Sequence, residues 1–72
     1  MNKAEHLQWA KDQAIQYIDR DDAVNAWMSF LSDMKKHNEL KDHPALELGM
    51  MLMFAGYNSD PEKMRDFILG FN

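Results

Sequence analysis

Helical periodicity runs through this chain from end to end, and no stretch alternates apolar and polar residues over a strand's length. That pattern predicts an all-α fold. The first helix is expected from Lys3 to Arg20, with Leu7, Ala10, Ala14, Tyr17 and Ile18 on one stripe and Ile15 at its edge. Lys11 intrudes on the stripe and is expected to run outward along its methylenes. The second helix, Asp22 to His37, is the most clearly amphipathic. Ala23, Val24, Trp27, Met28, Phe30, Leu31 and Met34 form its apolar side, and Asn25, Ser29, Ser32 and Lys36 its wet one. Between the two, Asp19-Arg20-Asp21-Asp22 supplies carboxylates that end a helix poorly and begin one well, because orphan N–H groups and the macrodipole favour negative charge at a helix start.

A polar connector, His37 to Asp42, leads to a third helix over Pro44 to Ala55, with proline in its first turn. Leu46, Leu48, Met50, Met51, Leu52, Met53 and Phe54 leave Glu47 as its only charged side chain. A helix apolar around its circumference is expected to be buried from several sides. Gly56 fits a left-handed helix end. Ser59-Asp60-Pro61-Glu62 reads as a capping box with Ser59 as the cap. The fourth helix carries Met64, Phe67 and Ile68 on one side and stops near Gly70. Short turns make neighbouring helices antiparallel, so the expected architecture is a four-helix bundle of two antiparallel αα-hairpins with the third helix central.

At 72 residues and 8.5 kDa there is room for one helical domain, residues 1–72. With no cysteine, neither a disulfide nor a thiolate-bound zinc can reinforce so small a core, which must suffice alone or borrow a second subunit. Twelve acidic against eight basic side chains argue against direct nucleic-acid binding, which draws its affinity from lysine and arginine. Met1 to His6 contains no apolar segment of the signal-peptide kind, and the apolar run from Gly49 to Gly56 is far shorter than the ~20 residues that span a bilayer. A soluble cytoplasmic protein without membrane contact is expected.

The first hairpin, with Ala14, Tyr17, Ala26 and Phe30, resembles a tetratricopeptide repeat at its small and aromatic positions. The second matches in Leu48-Gly49 and Gly56-Tyr57 but has Pro61 where that family places a small residue. A broader resemblance covers nearly the whole chain. Glu5-His6-Leu7, the Ala14–Asp21 segment, Met28 to Asp33, His43 to Met51 and Phe67 to Asn72 together resemble a family of small accessory proteins of tailed bacteriophages. The resemblance implies a phage-encoded protein that binds a host protein, inhibitors of bacterial defence such as anti-CRISPR proteins being among such products. It brings no catalytic motif with it.

The residues themselves favour binding over catalysis. His6, His37 and His43 fall on different elements with no i, i+4 pair, so no native metal site and no cofactor are expected. His6 is placed on the surface and His43 at a helix start. Asp21, Asp22, Asp60 and Glu62 stand where capping accounts for them, and no nucleophile–base pair is recognisable. Trp9 lies roughly 80° beyond the Tyr17 edge of the first stripe, beside Asn2, His6, Gln13, Gln16 and Arg20. Tryptophan in an uncharged polar surround has the composition of an interface anchor. The other reading folds Trp9 over the chain end against the fourth helix or Phe71. Glu5, Asp12 and Asp19 form an acidic shoulder suited to a basic partner surface. The expected partner-binding set is therefore Trp9, His6, Gln13, Gln16, Glu5, Asp12 and Asp19, used to cover a host or phage protein. A homodimer through the first or third helix is the alternative. Of the seven methionines, Met28, Met34 and Met64 fall on core stripes, while Met50, Met51 and Met53 exceed what one face can use. If three neighbours cannot wrap the third helix, its spare side is expected to meet another subunit.

Overall fold

Asn2 opens the first helix. Its side chain accepts from the Glu5 N–H at 2.8 Å while the Glu5 carboxylate accepts from the Asn2 N–H at 3.3 Å, a reciprocal cap. The computed structural model describes residues 1–72, with helices α1 (Lys3–Ile18), α2 (Ala23–Met34), α3 (Ala45–Phe54) and α4 (Pro61–Leu69), and a 3-10 turn over Tyr57–Ser59. All ordered elements are helical, and no helix is long and apolar enough to cross a membrane.

The first helix stops at Ile18 rather than Arg20 because the chain reverses there. Asp21 takes φ 57°, and the N–H groups of Asp21 and Asp22 close back onto the carbonyls of Ile18 and Tyr17, both at 2.9 Å. Those are the two bonds of a Schellman ending, with aspartate in the left-handed position usually held by glycine. Asp22 then caps α2, accepting from the Asn25 N–H and the Asn25 side-chain amide. Two hydrogen bonds to its charged form, helped by Arg20, hold its carboxyl below the ordinary 3.8.

Three helices enclose the core. The first two approach closely because Ala10 and Ala14 meet a helix carrying Ala23 and Ala26, all four buried. Their antiparallel sense follows from His6, near the start of α1, meeting Asp33, near the end of α2. The fourth helix packs on both, antiparallel to α1: Arg65 pairs with Asp19 at 3.1 Å, and the Lys11 ammonium donates to the carbonyls of Leu69 and Phe71. Lys11 thus leaves the apolar stripe by capping the last turn of a neighbouring helix. At the centre lies Trp27, fully buried, with Phe30, Phe67 and Phe71 ring centroids 5.8–6.4 Å away.

That aromatic cluster fills the place expected for the third helix, and α3 is peripheral. Its packing is against α2 and the 3-10 turn, and it does not form a close hairpin with α4. Only Leu46 and Gly49 of α3 are buried. Gly49 is what lets it approach: a methyl group there would overlap Cη2, Cζ2 and Cζ3 of Trp27, the last at 2.8 Å. Gly56, with φ 106°, turns the chain out of α3 as its sequence position predicts. Other expectations need correction. Asp60, not Ser59, caps α4, accepting from the Lys63 N–H, while the Ser59 hydroxyl donates to Gly56 within the 3-10 turn. The second helix ends at Met34, and the connector after it is not merely polar: Leu40 is fully buried. Val24 and Met28, expected in the core, are exposed, because the buried face of α2 centres on Ala23, Ala26, Trp27, Phe30 and Met34 and leaves them on its shoulder.

Candidate protein-binding site

The outward flank of α1 carries most of the residues that sequence reasoning singled out. Glu5, Asp12, Gln16 and Asp19 are exposed, and Trp9 and Gln13 half-buried. Several are already engaged within the chain. Glu5 belongs to the helix cap, Asp12 accepts from Gln8 at 2.9 Å, and Asp19 pairs with Arg65.

His6 is not on the surface. It sits four residues before Ala10 on the buried stripe, and its Nε2–H donates to the Asp33 carbonyl at 2.6 Å. A polar ring enters the core edge there because the Asp33 carbonyl, which also accepts from the Lys36 N–H at 3.2 Å, has a second lone pair to offer it. Trp9 stands edge-on to His6 at 5.3 Å, and His37 lies 5.0 Å from His6 on another side. The Lys36 ammonium lies 5.9 Å from the centroid of the Trp9 ring and also pairs with the buried Asp33 carboxylate at 3.1 Å. Trp9 therefore covers the junction of α1 with the end of α2. It does not reach toward α4 or Phe71, and part of its surface is already used.

The third helix presents the opposite situation. Leu46, Gly49 and Met53 recur along its inner side, while Glu47, Met50, Met51 and Phe54, spaced i, i+3, i+4 and i+7, share its outer side. Phe54 is 91% exposed and Met51 68%. Trp27 anchors the helix from beneath, and its indole N–H points to the Met50 sulfur at 3.3 Å. The contacts of Trp27 with Gly49 and Met50, and of Leu31 and Lys35 with a groove shared by Leu46 and Glu47, set α2 and α3 antiparallel. Val24 and Met28 thus lie toward the Phe54 end. Large apolar side chains are exposed on both helices: Val24 and Met28 on α2, and Met50, Met51 and Phe54 on α3. The beginning of α3 borders a groove of about 660 Å³ with Leu31, Leu46 and Met50 as apolar lining. Lys35, Lys41, Asp42 and Glu47 supply charges of both signs along that groove.

Sequence reasoning put its partner-binding set on α1 and offered the third helix only as an alternative homodimer surface, on the signal of surplus methionine at 50, 51 and 53. The three histidines hydrogen-bond to backbone groups: His43, for example, accepts the Ala45 N–H at Nδ1 and meets the Asn72 carbonyl through Nε2. No three His, Cys, Asp or Glu side chains converge in a way that could hold a metal ion. No family model, curated protein or solved structure matches the chain.

Proposed function

We propose that this chain is a non-enzymatic protein-binding module, which acts by laying an apolar helix face against another protein and covering that protein's surface. One observation carries the reading. Five large apolar side chains, Val24, Met28, Met50, Met51 and Phe54, stand exposed on two helices packed together through Trp27 and Gly49. Small proteins keep patches of this kind where something binds them. Methionine suits such a surface because its unbranched, polarisable side chain repacks against different partners. The acidic shoulder on α1, with Glu5, Asp12, Asp19 and the free edge of Trp9, serves as a secondary region that guides approach to a basic surface.

The partner class drawn from the phage-like sequence segments is a host protein, met inside the host cell and inhibited or redirected by occlusion; components of bacterial defence fall within that class. The test is capture from host lysate by the immobilised chain, compared with the variant Met51→Asp/Phe54→Asp. Both side chains point outward, so the variant keeps its helical circular dichroism. A discrete protein retained by the parent chain and released by the variant is the expected result. Equal retention by both overturns the assignment of this face, and recovery of the bait alone overturns the host partner.

A further inference from the structure

We propose that the α3 face is completed by a second copy of this chain, joined across a two-fold axis that passes between Met50 and Met51. The inference rests on the reading of that face as a protein-binding surface and names its occupant. Three observations carry it.

The face holds both a knob and a hole. Phe54 projects at the end of α3, and the groove with Leu31, Leu46 and Met50 in its lining opens at the beginning. Glu47, at the groove, and Phe54 are seven residues apart, about 10 Å along the helix. Two α3 helices crossing antiparallel at Met50 and Met51 therefore set each Phe54 over the groove of the other chain. An isologous interface requires this self-complementarity.

Charge agrees with shape. Lys35 and Lys41 share the groove with Asp42 and Glu47, so each groove offers both signs to an incoming helix end. A uniformly basic or acidic partner would meet like charges along half of that lining, whereas the Phe54 end of a second copy has no charged side chain from Leu48 to Ser59 and meets no like charge there.

The area is sufficient. At their observed exposures, Val24, Met28, Met50, Met51 and Phe54 offer about 500 Å² per chain, so a pair would remove about 1,000 Å² from water, the threshold for a specific though modest interface.

Sedimentation equilibrium of the purified full chain between about 1 and 300 µM reads this directly. The expected mass rises with concentration from 8.5 kDa toward twice that value. Phe54→Asp holds it at the monomer value. Leu48→Asp, on the other shoulder of α3, leaves the rise intact, and circular dichroism verifies that both variants are folded. A parent chain that stays monomeric throughout overturns the proposal. So does self-association that survives Phe54→Asp, or that is lost equally in Leu48→Asp. Lysate capture separates the two readings: a monomeric chain whose capture of another protein depends on Met51 and Phe54 sinks the second copy but preserves the binding face, and failure of both sinks both.

Discussion

Replacing Gly49 with alanine tests the packing that defines this fold, because two effects of opposite sign compete. In an unpacked helix the change stabilises by about 1 kcal/mol through helix propensity. Here the added methyl would overlap three atoms of the Trp27 ring. That ring is fully buried against Phe30, Phe67 and Phe71 and has no free space to turn into. Relief comes only if α3 lifts away. Overpacking of a tight contact costs up to about 3 kcal/mol, leaving a net loss of about 2 kcal/mol. For a domain of this size that lowers Tm by about 8–16 °C. Thermal unfolding followed by circular dichroism at 222 nm measures it, with Gly70→Ala as the control. Gly70 adopts φ −78°, and a methyl group there meets the Asp66 and Phe67 carbonyl oxygens at 3.4 and 3.5 Å, so its Tm should hold or rise slightly. An increase in Tm for Gly49→Ala would refute the docking of α3 on Trp27.

Three further outcomes follow from the same contacts. Leu40→Ala should cost about 2–4 kcal/mol in urea unfolding, as for a core leucine; a change below about 0.5 kcal/mol would return Leu40 to the solvated connector. His6→Ala should cost about 1–3 kcal/mol by leaving the Asp33 carbonyl without its histidine donor and Trp9 without its ring neighbour, and indole fluorescence should shift red as Trp9 becomes wetter; unchanged stability would put His6 back on the surface. Asp22 has a carboxyl pKa lowered by folding, so its contribution is fully present above the unfolded value near 3.8 and is lost as pH falls through the lower folded value. Asp22→Asn retains a capping side chain but removes that titration; a parent and variant whose acid-unfolding curves differ only by a constant offset below pH 4 would contradict the assignment.

The helices themselves were legible because their signals are local. Periodicity marked all four, Asp22 announced the start of α2, Pro44 and Pro61 marked starts, and Gly56 an end. What resisted was assembly. The third helix is apolar all round, and burial and association leave the same mark on a sequence: Met53 packs inward and Met51 faces out with nothing in their residue type to tell them apart. Its expected central position was filled instead by Trp27 and the phenylalanines, whose mutual contacts span residues 27 to 71 and leave no local trace. His6 belongs to the i, i+4 row of Ala10 and Ala14, but an imidazole reads as polar until its bond to the Asp33 carbonyl is seen. Leu40 was the single large apolar residue in a polar connector, a signal available and outweighed by its surroundings. For the α1 residues, geometry locates Trp9 at a junction that already covers much of it, whereas the binding face now proposed lies on the helix expected to be hidden.

Hydroxyl-radical footprinting across a concentration series tests that outward face most directly, since side-chain oxidation is read residue by residue. The account predicts that in the most dilute sample Met51 and Phe54 are modified far faster than the buried Met34 and Met64, and that Met50, Met51 and Phe54 become protected as the chain associates. Protection of Met51 equal to that of Met34 at the lowest concentration would contradict it and restore α3 to the interior.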